Sequence, residues 1–306
     1  MLIATPTERS IYVGRFAPSP TGELHQGSLL AAVVSYLEAK QQSGKWLVRM
    51  EDLDPPREQA GAASAILRSL EAHGLNWDGS VLFQSSRAAA YAETLHWLDQ
   101  QHLTFACTCT RQRMIDLHGV YDGHCRFQPP TDQSQAAAIR LKINSNRIEY
   151  NDLYQGFQHQ ELQRDLGDFI LRRKDGLIAY QLAVVVDDIF QGITHVVRGS
   201  DLIDSTPRQL FIFDTLKAAR PTYAHVPIIV DHDGQKLSKQ TFAEPLNDKH
   251  SKANSMGVLQ RLKMNPPDDL AANHNDDILS WAIEHWRRDY MPNQLRFKHN
   301  GNSDRK

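Results

Sequence analysis

The chain opens with a strand, turn, helix, strand run that few folds can accommodate. Ile11 to Phe16 is a short apolar segment ending in Ala17-Pro18-Ser19-Pro20-Thr21-Gly22. Leu30, Val33, Val34 and Leu37 then fall at i, i+3, i+4 and i+7, the stripe of an amphipathic helix, and Gly44 is its stop. Trp46 to Met50 reads as a buried strand. Strands joined through a helix pair in parallel, and parallel sheets carry helices on their faces. The alternation continues. Pro55-Pro56 opens a second helix that turns Ala63, Ile66, Leu67 and Leu70 inward and ends at Gly74, and a third carries Tyr91, Leu95 and Leu98. The expectation is an α/β fold built on a doubly wound parallel sheet.

The pattern then breaks. Phe105 to Phe127 is punctuated by cysteine and glycine, and Ile139–Ile143 and Phe169–Arg173 read as short strands outside the alternation. It resumes with Ile178–Val186 and Thr194–Val197 as strands. A helix follows, entered through Ser205-Thr206-Pro207, where proline suits a first turn, and it buries Ile212, Phe213 and Leu216. Val226–Val230 is a further strand, Asp231–Gln240 a polar loop, and Ile278, Trp281, Ala282 and His285 share one face of a late helix. The expected division is 1–102 for the first half of the sheet domain, 103–170 for an insertion, 171–245 for the second half, and 246–306 for a short helical end. Trp281 and Trp286 read as packing residues, and His195 and His225 as satisfied histidines at strand borders.

Composition excludes several classes. With 41% hydrophobic and 23% charged residues among 306, long disorder, a coiled coil and a collagen-like chain are excluded. Apolar runs such as Leu182–Val186 fall far short of the ~20 residues of a membrane span. Met1 to Tyr12 has no apolar core of a secretory signal, and three cysteines in the whole chain fit a reducing, cytoplasmic setting. The formal charge of −2 means that any nucleic-acid contact must come from a local basic patch.

Two segments carry chemistry. The first runs from Arg15 to His25-Gln26-Gly27-Ser28 and places an imidazole and backbone N–H groups at a helix start, where orphan donors and the helix dipole attract a phosphate. Gly27 allows a planar group close to the backbone. The second is Asp233-Gly-Gln-Lys236-Leu237-Ser238-Lys239-Gln240, whose lysines can reach polyphosphate. Taken singly, each could be a polar surface loop. Taken together, in this order and about 210 residues apart, they discriminate.

His25-Gln26-Gly27-Ser28 resembles the HIGH motif of class I aminoacyl-tRNA synthetases, and Lys236-Leu237-Ser238-Lys239-Gln240 resembles their KMSKS motif. Gln26 and Gln240 depart from those motifs. Arg15 to Gly22, followed by Arg49-Met50-Glu51-Asp52-Leu53-Asp54, is similar to the glutamyl branch, and the resemblance spans Tyr12 to Gln240. Within that branch, Cys107-Thr108-Cys109, Pro55-Pro56-Arg57 and the short C-terminal part resemble the short paralogues that attach glutamate to queuosine in the anticodon loop of tRNA(Asp). The resemblance implies ATP, L-glutamate and queuosine-bearing tRNA(Asp) as partners, Mg²⁺ with the ATP, and a monomer. It assigns Arg15, Ala17, Ser19, Glu51, Tyr180 and Arg198 to glutamate, and His25, Gly27, Ser28 and Lys239 to ATP. His25, Lys236 and Lys239 would carry catalysis by offsetting developing negative charge.

Residue chemistry agrees with that assignment. Glu51 can pair with an ammonium, Arg15 or Arg198 can fork onto a carboxylate, and Tyr180 offers a hydroxyl. The plainer alternatives are a Glu51 pair with Arg49 or Arg57, a core Tyr180, and an Arg198 ion pair with Asp201. Cys107, Cys109 and Cys125 offer three thiolates within nineteen positions. Zinc takes four ligands, and the fourth could be Tyr121, His124, His118 or Asp122. Chemistry alone favours a histidine, whereas the resemblance favours Tyr121 and one structural zinc. Two other functions stay open at this stage: a truncated synthetase charging a tRNA 3′ end, and a silent tRNA-binding relative.

Overall fold

A computed structural model describes residues 11–132, 134–143, 147–230 and 244–298. β1 (Val13–Phe16) leads into α1 (Gln26–Gln41), and β2 (Lys45–Met50) lies parallel to β1 with Arg15 opposite Leu47. The turn before β2 needs a glycine: a Cβ on Gly44 would lie 2.4 Å from the Tyr12 carbonyl oxygen. α2 (Ala62–Ala72) returns the chain to β3 (Leu82–Phe83), which pairs in parallel with the end of β2, and α3 (Ala88–Gln100) follows.

The pairing turns antiparallel where the alternation broke. β4 (Thr104–Cys107) is followed by the short helices α4 (Arg111–Asp116) and α5 (His124–Phe127) and then β5 (Ala138–Leu141). β6 (Arg147–Asp152) and β7 (Gly156–Glu161) form a hairpin, and α6 (Leu162–Asp165) leads to β8 (Phe169–Arg172). β4, β5 and β8 make an antiparallel sheet in that order. Parallel pairing returns after α7 (Tyr180–Phe190), with β9 (His195–Gly199), α8 (Thr206–Thr215) and β10 (Thr222–Val226). β9 runs beside β1, where Thr194 N donates to the Val13 carbonyl at 2.9 Å. β11 (Ile228–Val230) pairs in parallel with β12 (Arg296–Lys298), and α9 (Ser251–Arg261) and α10 (Asn275–His285) lie between them in sequence.

Helices cover both faces of the parallel strands. Trp46, Val48 and Met50 point into one apolar layer with α1, α2, α9 and α10, while Leu47 points into the other with α3, α7 and α8. This is the alternation of a doubly wound sheet.

Four sequence expectations need correction. Ile178–Val186 is not a strand. Its apolar part lies in α7, where every residue from Leu182 to Asp188 is buried, so no polar face reveals the helical period. Burial there overrides the strand preference of Val184, Val185 and Val186. Pro55 and Pro56 open a separate 3₁₀ turn, Pro55–Arg57, and Glu58 is extended before α2 begins at Ala62. α1 is not merely striped: Leu29, Leu30 and Ala32 through Ala39 are all buried, because α9 and α10 cover the side away from the sheet. Val226–Val230 is two strands, split at Pro227, which has no N–H to donate.

Candidate active site

The sheet opens a cavity of about 460 Å³ at the C-terminal ends of its strands. Open parallel sheets bind ligands at that edge. Arg15, Ala17, Ser19, His25, Gly27, Ser28, Glu51, Tyr180 and Arg198 all line it. Lys236 and Lys239 lie outside the described residues. Arg57, Asp201 and Leu202 also line it, outside the residues that the resemblance assigns.

The floor is an ionic chain. Arg15 Nε meets Asp188 Oδ1 at 3.2 Å, Arg49 Nη1 meets the same oxygen at 2.7 Å, and Arg49 Nη2 stands 3.6 Å from Glu51 Oε1. Burial pushes the Asp188 carboxyl up, but Arg15 and Arg49 outweigh it and hold the group below its ordinary range. Glu51 goes the other way: burial raises its carboxyl despite Arg49 and Arg15. Its Oε1 is buried with no hydrogen-bond partner among the described residues. A buried carboxylate with an unmet acceptor at a cavity wall suits an ammonium group. The pairing of Glu51 with Arg49 is thus present but loose, and Arg57 is engaged instead with Asp54 at 2.5 Å.

Arg198 is almost fully buried, and its donors do not go to Asp201 in any bond found among the described residues. Nε donates to His225 Nε2 at 3.1 Å. Nη1 donates to Gln209 Oε1 at 2.8 Å and to the Tyr180 hydroxyl at 3.3 Å. Nη2 donates to Thr206 Oγ1 at 2.8 Å and to the Leu202 carbonyl at 3.3 Å. Each terminal nitrogen therefore has one firm and one long bond, and the two long ones are those a carboxylate could replace as a fork. Tyr180 is not a strand tyrosine. It begins α7 at the cavity wall.

His25 is the N-cap of α1. Its Nδ1 accepts the N–H groups of Gly27 at 3.1 Å and Ser28 at 3.3 Å, while Ser28 Oγ accepts the His25 N–H at 3.3 Å. Two first-turn donors expected to face a phosphate are thus satisfied by the imidazole. Because Nδ1 accepts, the neutral ring carries its proton on Nε2. Gln26, which departs from the motif, donates to Asn254 of α9 at 3.2 Å.

The sulfur atoms of Cys107, Cys109 and Cys125 lie within 4.8 Å of one another, and those of Cys109 and Cys125 are 3.5 Å apart. Tetrahedral zinc with bonds of about 2.3 Å separates its sulfurs by roughly 3.8 Å, so the cluster fits an ion. The Tyr121 oxygen lies 3.6 and 3.9 Å from the Cys107 and Cys109 sulfurs and accepts the Cys125 N–H at 2.7 Å. Among the described residues neither His118, His124 nor Asp122 joins the cluster, and Asp122 is paired with Arg113. Burial raises the Cys109 thiol to about 11. The Cys125 thiol is lowered to about 7 against burial, by the Thr108 backbone and its cluster neighbours.

Asp188, Arg49, His225, Asp152, Thr206 and Gln209 support the cavity and also lie outside that assignment. Asp188 has a signal in the sequence as an acidic pair with Asp187, and Arg49 as part of the Arg49–Asp54 segment. His225 and Asp152 are brought in by their strands, β10 and β6, and Thr206 and Gln209 by the start of α8.

Residues 12–260 match the family model "tRNA synthetases class I (E and Q), catalytic domain". The chain is 47% identical over 291 residues to the glutamyl-Q tRNA(Asp) synthetase of Pseudomonas fluorescens, covering 95% of this chain and 97% of the relative. It is 50% identical over 286 residues to the protein of that name in Thiobacillus denitrificans, covering 92% and 95%. The fold is similar to a crystal structure of glutamate-tRNA synthetase from Elizabethkingia anophelis, with a TM-score of 0.78 and 21% identity over 95% of this chain and 68% of that one. By family model, by identity along nearly the whole length and by fold, the chain belongs to the class I tRNA synthetases of the E and Q branch, in the glutamyl-Q tRNA(Asp) synthetase family.

Proposed function

We propose that the protein, as a cytoplasmic monomer, activates L-glutamate with ATP and transfers the glutamyl group to queuosine in the anticodon loop of tRNA(Asp). The observation that carries this is the identity of about half over nearly the full length of relatives so named. The charge layout of the cavity supports it. In the first step an oxygen of the glutamate α-carboxylate attacks the α-phosphorus of ATP, and the bond to pyrophosphate breaks. Glu51 receives the ammonium, and Arg15 and Arg198 the carboxylates, because each charge in a closed pocket needs a partner. His25 offers Nε2–H to phosphate oxygens, with Lys236 and Lys239 as further cations. Mg²⁺ arriving with ATP neutralises polyphosphate charge.

In the second step a queuosine hydroxyl attacks the acyl carbon and AMP leaves. A second cavity of about 290 Å³ supports a route for that hydroxyl. It shares Ser19, Glu51, Arg57 and Tyr180 with the first, whereas His25, Gly27 and Ser28 line only the first. The acceptor therefore comes in on the glutamate side and AMP departs on the other. Cys107, Cys109, Cys125 and Tyr121 would hold a zinc ion that braces the 103–127 segment, and no step passes through it. The deciding experiment is transfer of labelled glutamate to tRNA(Asp) with and without queuosine. Label on the queuosine-bearing tRNA alone is expected, and equal label on the unmodified tRNA overturns the reading.

A further inference from the structure

Behind Arg198, outside the cavity wall, stand His225 on β10, which touches it, and Asp152 at the end of β6, which touches His225. The parallel register sets Arg198 opposite His225. Arg198 Nε donates to His225 Nε2 at 3.1 Å, and His225 Nδ1 lies 2.5 Å from Asp152 Oδ2. The three residues are only 5%, 0% and 3% exposed. A guanidinium N–H can only donate, so Nε2 must be the bare nitrogen and Nδ1 must carry the proton that Asp152 accepts. Asp152 is itself fixed. Its Oδ1 accepts the backbone N–H groups of Tyr154, Gln155 and His225 at 3.0, 2.9 and 3.1 Å, which leaves Oδ2 for the imidazole.

We propose that Asp152 and His225 are positioning residues that set the Arg198 guanidinium for the substrate carboxylate by fixing the imidazole tautomer. The proposal rests on the reading of Arg198 as a glutamate contact. It places a determinant of glutamate binding in the β6–β7 hairpin, in a part of the chain that contributes nothing to the cavity lining.

Near-isosteric variants test it. In Asp152→Asn the three backbone N–H groups keep the amide oxygen at the Oδ1 position, so the amide NH₂ faces His225 Nδ1. The ring must then accept there and carry its proton on Nε2, against an Arg198 N–H. His225→Asn keeps an atom for Asp152 but none that reaches Arg198, and His225→Gln puts a carbonyl oxygen where Nε2 was. In glutamate-dependent ATP–pyrophosphate exchange, D152N and H225N should raise the glutamate KM ~10- to 100-fold, the worth of a hydrogen bond to a charged group, with the ATP KM within about twofold. H225Q should stay within about fivefold, and D152N added to H225Q should cost little more, since no tautomer remains to invert. Wild-type glutamate KM in D152N and H225N, an equal rise in both KM values, or a full D152N penalty in the H225Q background overturns the proposal. Should D152N fail to fold, the contrast of H225N with H225Q decides alone. Arg198→Gln is measured alongside. If it leaves the glutamate KM unchanged, the pocket assignment itself is wrong. If it raises that KM while D152N and H225N do not, only the positioning role is wrong.

Discussion

At the residue scale, Glu51 and Asp188 are buried carboxylates four Ångströms or less from the same arginine, yet they are poised oppositely. Asp188 has two arginines and is held below its ordinary range. A carboxyl lowered in the fold contributes stability above its unfolded value, and that contribution is lost as pH falls through the lowered one. Removing its charge in Asp188→Asn leaves Arg15 without its buried ion-pair partner and Arg49 with only the loose Glu51 contact, and should cost about 3–5 kcal/mol, read as a drop in the urea midpoint. Glu51 is raised instead, by burial. For a raised carboxyl the sign reverses: stability is greater at low pH and declines as pH climbs through the native value, so at neutral pH the charged group is a net cost. Glu51→Gln should therefore leave the melting temperature unchanged or higher. It should also raise the glutamate KM at least ~100-fold, because the substrate ammonium loses its ionic partner. A variant that melts lower and still binds glutamate normally would remove Glu51 from the pocket. Both residues sit in segments whose chemistry is visible in the sequence. What separates them, the close hydrogen-bonded arginine contacts that Asp188 makes and Glu51 does not, depends on packing and is not.

At the element scale, what could be read was local and what could not was the product of partners. The turn from β1 to α1 was legible because Pro18, Pro20, Gly22 and His25 have strong local preferences, and His25 does cap α1. α7 was illegible because its surroundings bury it on every side, and a periodic signal needs a polar face. The Arg198–His225 pairing was illegible for a related reason: the register of β9 against β10 is a property of the pair and of neither strand alone. The cysteine cluster lies between these cases. The spacing gave the thiolates, while the fourth donor needed the fold, which brings the Tyr121 oxygen to the sulfurs and keeps His118 and His124 outside the cluster. The apolar group of the segment is small, Cys107, Tyr121 and Cys125 with Phe105, Cys109 and Met114 packed on it. Cys109→Ser or chelation should thus lower the melting temperature and increase amide exchange between residues 103 and 127. Glutamate-dependent exchange should survive, because no cysteine lines the cavity. Metal analysis showing no zinc in freshly purified protein would remove the premise, and loss of exchange with the fold intact would make the metal catalytic.

At the scale of the whole molecule, the cavity walls come from distant parts of the chain that are locked together internally. Glu38, buried in α1, accepts from the Tyr154 hydroxyl at 2.9 Å, from Trp286 Nε1 at 3.0 Å and from Arg288 at 2.8 Å. One carboxylate thus ties the helix that His25 caps to the β6–β7 turn and to the chain after α10. Gln26 ties the same helix to α9 at its other end. Arg15, Arg49, Asp188 and Glu51 are likewise in place within a single ionic chain. A site whose charged groups already hold one another needs no RNA to assemble it, since the cost of ordering them is met in folding. Glutamyl-adenylate should therefore form in the absence of tRNA, seen as glutamate-dependent ATP–pyrophosphate exchange that nuclease treatment leaves unchanged. Transfer should then follow the anticodon loop and ignore the acceptor stem. Periodate cannot discriminate here, because queuosine and the tRNA 3′ end both carry a cis-diol. Removing the terminal adenosine can: labelled glutamate should still pass to queuosine-bearing tRNA(Asp), and binding should weaken as salt rises, since basic side chains act through phosphates and released counter-ions. Exchange that appears only on adding tRNA would show that the site is not pre-formed. Transfer that vanishes with the terminal adenosine yet tolerates unmodified guanine would make the chain an ordinary 3′-end charging enzyme.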